Sequence, residues 1–68
     1  MRERNRKLIN TNGDRELWQL EVRQPDGEWV TLYYGKEFVD VQGIRKQTPD
    51  DAAFHSQAEG HAWLLRGV

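Results

Sequence analysis

Few side chains in this sequence have the type and spacing that catalysis or metal binding requires. His55 and His61 are its two histidines, and they are six positions apart, whereas one helix face presents residues three or four apart. Asp50 and Asp51 are neighbours, but a metal site needs further ligands that the sequence does not supply nearby. Negative charge at the start of a helix or loop explains this acidic pair more simply. We therefore predict no metal site.

The motifs of nucleophilic and phosphate chemistry are also missing. No serine or threonine stands in a Gly-x-Ser-x-Gly setting, and Gly35 and Gly43 are isolated rather than parts of a phosphate-binding loop. A chain of 68 residues has little material to enclose a substrate pocket. We therefore expect no catalytic residues, no cofactor and no enzymatic activity.

Aromatic and basic side chains give a stronger signal, and it indicates binding. Alternate residues of two neighbouring segments supply a leucine, an arginine, a tryptophan and a tyrosine, namely Leu17, Arg23, Trp29 and Tyr33. Tryptophan, tyrosine and arginine dominate interface hot spots, and an uncovered aromatic sheet face indicates a partner site or a homodimer seam. Ordinary cross-strand stabilisation, with Arg23 stacked on Trp29, is an equally good and compatible explanation. We predict a protein-binding surface at these four residues.

Nucleic-acid binding is the alternative. The chain has ten basic and eleven acidic residues and a net charge of −1, yet the first 15 residues contain five basic and two acidic ones. A basic arm on an acidic body suits nucleic acid or an acidic protein surface, although a solvated terminus is the simpler explanation. The alternative site would join this arm to the aromatic stacking surface. It comprises Arg2, Arg4, Arg6, Lys7, Arg23 and Lys36.

Composition limits the class of protein and its surroundings. The chain has no cysteine, which excludes disulfides and favours a reducing, cytoplasmic setting. No apolar run is long enough to span a bilayer, and the basic N-terminal stretch lacks the apolar stretch of a secretory signal. We expect a single small α+β domain over residues 15–68, preceded by a flexible basic arm at residues 1–14.

A β-hairpin must position the aromatic residues. Segments 16–24 and 28–35 alternate in polarity and meet at a Pro-Asp-Gly sequence, which is typical of a three-residue hairpin loop with a glycine bulge. If Gln24 faces Glu28, one face of the hairpin carries only apolar pairs. These pairs are Val22 with Val30, Leu20 with Leu32, and Trp18 with Tyr34. The predicted binding residues then lie on the opposite face.

A C-terminal helix is predicted over residues 57–66. Residues 56–59, Ser-Gln-Ala-Glu, have the spacing of a capping box. Pro49 would suit the first position of a longer helix. The capping box and Gly60 favour the later start instead, with residues 52–54 as a short extended segment before it.

The helix is expected to pack across one face of the sheet. Ala58, Ala62 and Leu65 recur at helical spacing and would meet the apolar face of the hairpin. Gly60 within the helix indicates either close packing or a tolerated weakness, and we favour the weakness. Trp63 lies off the apolar stripe, so it either clamps the sheet edge, which we favour, or stands exposed for a partner.

The fold class is therefore α+β, a small antiparallel sheet with one helix on one face. Residues 38–41 suit a third strand beside the hairpin. Residues 45–51 are polar and contain a proline, which predicts a loop. The Asn-Gly pair at residues 12–13 is a turn signal that would set Leu8 opposite Leu17 in a second hairpin.

The order of two strands, an extended piece and a capped helix with a tryptophan resembles the bacterial cell-division activators of the CedA family, small proteins associated with DNA and polymerase. The matching residues are Ala53, Phe54, Glu59 and Trp63. The resemblance covers a short stretch and implies an association with nucleic acid, but that family is much more basic than this chain. A short, cysteine-free chain with a charged start is also similar to small phage regulators that bind a host enzyme.

From these observations we expect a non-enzymatic protein-binding module, a small regulator or inhibitor that docks on a larger protein through an aromatic sheet face. The alternative is a DNA- or RNA-binding accessory protein that uses the basic arm. A homodimer that buries the aromatic face against a second copy is a third interpretation.

Overall fold

The computed structural model describes residues 2–48 and 52–66. These residues form five strands and one helix. In chain order they are β1 (Glu3–Asn12), β2 (Arg15–Arg23), β3 (Trp29–Val41), β4 (Ile44–Gln47), β5 (Ala52–Phe54) and α1 (Gln57–Leu65). Every strand pair is antiparallel. The predicted α+β architecture, one helix on a small antiparallel sheet, is confirmed.

The long strand β3 connects the parts of the sheet. β2 lies between β1 and β3 and occupies one edge of β3 from Trp29 to Glu37. β5 pairs with residues 33–35 of β3, so it lies along the other edge. β4 pairs with residues 38–41, the part of β3 that extends beyond its pairing with β2. The predicted third strand at residues 38–41 is thus a continuation of the second strand of the hairpin.

The central hairpin has the predicted register. The Gln24 N–H donates to the Glu28 carbonyl at 2.8 Å, and all the predicted apolar pairs from Trp18–Tyr34 to Val22–Val30 are opposite one another. Gly27 has φ of +90°, the left-handed conformation that the loop requires of its glycine. The loop therefore sets the register that brings like residues together on each face.

The N-terminal arm that was predicted to be flexible is instead strand β1. It pairs with β2 along its length, so the boundary drawn after residue 14 falls inside a hairpin. Leu8 faces Trp18 and not Leu17, because Asn12 pairs with Arg15 and a register shift lies between Asn10 and Leu8; a second shift lies between Lys7 and Arg4. The backbone of Asn5 is left-handed at the first of these shifts, with φ of +57°.

The segment predicted as a loop at residues 45–51 begins with a strand. β4 pairs with the end of β3, and the turn between them has positive φ at both Gln42 and Gly43. Two positive φ values in a two-residue connection are typical of a type I′ turn, whose twist suits a hairpin. Residues 49–51 lie outside the described part of the chain.

The helix begins where the capping box predicts. The Ser56 side chain accepts a hydrogen bond from the Glu59 N–H at 3.2 Å, and Ser56 itself is extended. Residues 52–54 form β5, which confirms the short extended segment and excludes a continuous helix from Pro49, a residue outside the described chain. The cap satisfies one of the free N–H groups of the first turn.

The face of the helix that packs on the sheet differs from the prediction. Ala58, Ala62 and Leu65 are exposed, whereas Gly60 and Leu64 are buried. A Cβ at Gly60 would lie 2.7 Å from the Leu17 side chain, so this glycine allows close packing and is not merely a tolerated weakness. The helix therefore covers the face of the sheet that carries Leu17, opposite to the face that we predicted.

Trp63 packs the helix against the sheet, but over a strand that is paired on both sides and not at the predicted sheet edge. Its ring lies over Gly35, where a Cβ would be 2.8 Å or less from three ring atoms. Phe54 of β5 packs against the same ring at a centroid distance of 5.7 Å, and the Arg15 guanidinium lies 4.4 Å from its centroid. Strands β2, β3 and β5 thus all contribute to holding this one side chain.

The last turn of α1 is tied to the β1–β2 hairpin. Arg15 donates to the Trp63 carbonyl at 2.7 Å and forms an ion pair with Glu37 at 3.0 Å. Asn12 donates to the Leu64 carbonyl at 2.8 Å. These carbonyls lie in the last turn of α1, where few backbone N–H groups follow to bond them, so the hairpin side chains supply additional donors.

In the described ranges no helix has the length and apolar content needed to cross a bilayer.

Candidate docking face

Strand alternation gives the sheet two different faces. The helix face is the one covered by α1, and it carries Leu17 and Gly35. The open face is the opposite one, and it carries six apolar or aromatic side chains of the central hairpin. These are Trp18, Leu20, Val22, Val30, Leu32 and Tyr34. The one helix of residues 2–48 and 52–66 lies on the other side, so the apolar set of the hairpin has no helical layer over it.

A groove of about 470 Å³ crosses the open face. Leu20, Val22 and Leu32 line it beside Tyr34, and Arg6 is among its polar lining residues. Leu20 is 6% exposed and the other apolar residues are half-buried. Neighbouring strands and long polar side chains therefore shield much of this surface from water. A partner would cover the part of the apolar surface that is still exposed.

An aromatic pair forms one end of the open face. Trp18 and Tyr34 are cross-strand neighbours whose rings are nearly parallel, 16° apart, with centroids separated by 6.3 Å. The Lys36 ammonium lies 5.0 Å from the Trp18 centroid and 5.6 Å from the Tyr34 centroid. Trp18 donates its indole N–H to Glu16 at 3.0 Å. The two rings and one cation form a cation–π cluster.

Lys36 stands apart from the ion pairs of the open face. Glu3 pairs with Arg6, and Glu16 pairs with Arg45 at 3.6 Å. Asp40 also follows this face, at the end of β3 near its turn to β4, and accepts the Gly43 N–H at 2.8 Å. Lys36 forms no ion pair with any other residue of the described chain, and it lies beside the aromatic pair, where a negatively charged partner could reach it.

The four predicted binding residues do share one face of the sheet, but it is the helix face. Leu17 has no exposed surface and packs beneath Gly60, so it is a core residue and its prediction as a contact residue was wrong. Arg23 is exposed and pairs with Trp29 across the strands. Trp29 is half-buried, and Arg4 lies 3.8 Å from its ring centroid. Tyr33 faces Phe54 of β5.

The basic residues of the nucleic-acid alternative divide between the two faces. Arg4, Lys7 and Arg23 follow the helix face by their strand pairing, whereas Arg6 and Lys36 lie against Tyr34 on the open face. Arg2 lies beside Arg23, since its carbonyl accepts the Arg23 N–H at 3.1 Å. Arg4 and Arg6 are also paired, with Glu21 and Glu3 respectively. The set therefore does not form one continuous basic stripe.

Glu21 is the acceptor that holds the bulged part of β1. Asn5 donates to its carboxylate, and the Arg4 guanidinium lies 3.4 Å away. The hydrogen bond from Asn5, with a smaller contribution from the Arg4 charge, lowers the pKa of Glu21 from its ordinary value of 4.5, against a partial desolvation that acts in the opposite direction. The charged form of this carboxylate is therefore the one that the fold stabilises.

This lowered pKa predicts how stability changes with acid. A carboxyl with a lower pKa in the folded state stabilises the fold above its unfolded pKa and loses that contribution as the pH falls through the folded value. The urea midpoint of the wild type should exceed that of Glu21→Gln at pH 7, and the gap should close as the pH falls below 4.5. Glu28→Gln, at an exposed loop position, is the matched control. A gap that stays constant down to pH 3 would contradict the prediction.

Within the described ranges no three acidic or histidine side chains come close enough to share a metal ion. No protein-family model, curated protein or solved structure matches this chain. The geometry of the open face is therefore the evidence on which a function can be argued.

The open face was not among the predicted candidate sites because its residues were assigned to the core beneath the helix. Two glycines in the sequence indicate which face of the sheet the helix covers. Gly35 pairs with Leu17 across the strands, and Gly60 lies above Leu17 in the helix. Glycine on a strand and glycine on a helix both indicate close approach of another element, and both lie on the face that carries Leu17.

Proposed function

We propose that this protein is a non-enzymatic docking module that binds a partner protein through the open face. One observation carries the proposal: the apolar set of the central hairpin lies opposite the only helix of the described residues. A sheet normally buries its apolar face against a second layer, and a contiguous apolar surface rimmed by polar residues is typical of an interaction site. A partner protein would supply that missing layer.

The size of the surface suggests what kind of contact this is. From residue 18 to residue 22 the open face extends about 13 Å along the strands, and from β1 to β5 about 14 Å across them. A standard interface buries roughly 800 Å² on each partner, which is much more than this surface offers. A contact with one segment of a larger protein therefore suits it, and a small regulator or inhibitor could act by occupying that segment.

The arrangement of charge favours a protein over a nucleic acid. Binding to a phosphate backbone requires several cations aligned along one path. Here Arg4 and Arg6 are engaged with carboxylates, and the remaining basic residues of the predicted set point to different faces. The aromatic pair at Trp18 and Tyr34 already has Lys36 over it, so a base would have to displace a cation to stack there.

Substitution of Val30 by aspartate tests the proposal, because Val30 is half-buried on the open face and pairs with Val22. We expect Val30→Asp to reduce recovery of a protein partner from a bacterial lysate by about tenfold or more. The matched control is Val39→Asp, the same substitution in the same strand at an exposed position that follows the helix face and pairs with Lys46. It should recover the partner as well as the wild type does.

Circular dichroism must first show that both variants remain folded. Equal loss of the partner with Val39→Asp would contradict docking through the open face. Full recovery with Val30→Asp would contradict it as well. Recovery that disappears on nuclease treatment would support the nucleic-acid alternative instead.

A further inference from the structure

We infer that the occupant of the open face is an amphipathic helix of the partner protein, with carboxylate side chains beside its apolar stripe. The inference rests on the proposed function and names the chemistry of the partner segment. It follows from three properties of the open face: the pairing of its strands, its dimensions and the charge of Lys36.

The pairing of the strands favours a helix over an extended segment. β2 is paired on both edges, with β1 and with β3, and β3 is paired with β2 on one edge and with β4 and β5 on the other. An extended segment laid across this face would find no backbone partners, and its own N–H and C=O groups would lose water without compensation. A helix satisfies its backbone internally and presents only side chains.

The dimensions also fit one helix. The open face is about 13 Å along the strands and about 14 Å across them from β1 to β5, and its apolar side chains lie on the two central strands, β2 and β3. A helix of about ten residues is 15 Å long and roughly 10 Å wide with its side chains. One such helix would cover the side chains from Trp18 to Val22 on β2 and from Val30 to Tyr34 on β3, and it would complete a helix–sheet–helix arrangement with α1 on the other side.

The charges select an acidic helix. Lys36 lines the groove and is unpaired within the described chain, so a carboxylate on the partner would gain an attraction without breaking an existing pair. A basic helix would meet Lys36 with like charge. The carboxylate among the described residues that line the groove is Glu3, which is already paired with Arg6, so a basic helix in the groove would have to displace Arg6 to gain it. Electrostatic complementarity of this kind contributes to partner choice.

Two synthetic helical peptides test the inference on the full-length protein. Both carry the same leucine stripe; one has glutamates beside the stripe and the other has lysines. We expect the glutamate peptide to bind about tenfold more tightly than the lysine peptide, measured by titration. In NMR spectra it should shift the amides of Leu20, Val22 and Leu32, and leave those of the buried contact between Leu17 and α1 unchanged.

Charge reversal at Lys36 identifies the cation responsible. Lys36→Glu should abolish or invert the preference for the glutamate peptide. Lys46→Glu is the matched control, since Lys46 is exposed on β4 and pairs with Val39, whose position follows the helix face; it should retain the preference. Stronger binding of the lysine peptide, or an unchanged preference in Lys36→Glu, would overturn the inference.

The outcomes separate this inference from the proposed function. If both peptides shift the open-face amides equally, the acidic preference is wrong and docking through the open face stands. If neither peptide shifts them, helix docking is rejected, and the Val30→Asp recovery experiment decides whether the open face binds protein in another form. A dimer in light scattering that Val30→Asp converts to a monomer would show that a second copy occupies the face and would overturn the inference.

Discussion

Replacement of Leu17 by alanine is expected to lower the free energy of unfolding by about 3 kcal/mol. Leu17 is completely buried, and its side chain contacts the position where a helix glycine lets α1 approach the sheet. Removing the side chain loses apolar burial and leaves a cavity between two elements that cannot easily collapse. Since a domain of this size has little stability in reserve, the variant should unfold at much lower urea concentration, which fluorescence and circular dichroism can measure.

A second leucine gives the control for this prediction. Leu65 lies in α1, the helix that packs on Leu17, but its side chain is 68% exposed. Leu65→Ala should therefore change the free energy of unfolding by about 0.5 kcal/mol or less. The sequence pattern alone places Leu65 against the sheet and Leu17 on the uncovered face. A large loss of stability in Leu65→Ala with a small loss in Leu17→Ala would therefore support that pattern and contradict the packing of α1 on the face that carries Leu17.

Replacement of Gly35 by alanine is expected to cost about 1–3 kcal/mol through overpacking. A Cβ at this position would lie 2.8 Å or less from three atoms of the Trp63 ring, and that ring is also held by Phe54 and Arg15. Glycine normally weakens a strand, so without this contact the substitution would be neutral or stabilising. The sign of the change in the urea midpoint therefore tests the clamp directly.

A double variant shows whether the cost comes from Trp63. If the clash with the ring is the cause, Gly35→Ala should cost much less in a Trp63→Leu background, and a double-mutant cycle would give a coupling energy well above zero. Additive costs of the two substitutions would mean that Trp63 does not limit the space at Gly35.

Local chemistry made the central hairpin and the start of the helix predictable. The Pro-Asp-Gly loop fixes which residues face each other, since a hairpin loop sets the register of both strands. The hydroxyl of Ser56 likewise determines where α1 begins, because it satisfies an N–H three residues later. Neither feature depends on distant parts of the chain, so a few consecutive residues are enough to predict each of them.

Long-range packing decided the features that the sequence analysis missed. Apolarity alone assigns the helix to the face with more apolar residues, but α1 packs where Gly35 and Gly60 leave room for Trp63 and Leu17. The candidate site follows from that choice, because the face opposite the helix is the one whose apolar residues no described helix covers. The turn signal at residues 12–13 indicated a second hairpin, but not the extent and register of β1, since the bulged part of β1 contacts Glu21, 16 residues from Asn5.

The shape and charge of the bulged strand β1 bear on whether this edge of the sheet can pair with a second copy of the chain. β1 is the outermost strand of the described sheet on its side, and an unpaired strand edge beside an apolar face is a template for fibril-like aggregation. Two register shifts bend β1, and its first half is exposed and rich in arginine and lysine. A bent, positively charged edge disfavours in-register pairing with the same edge of a second copy.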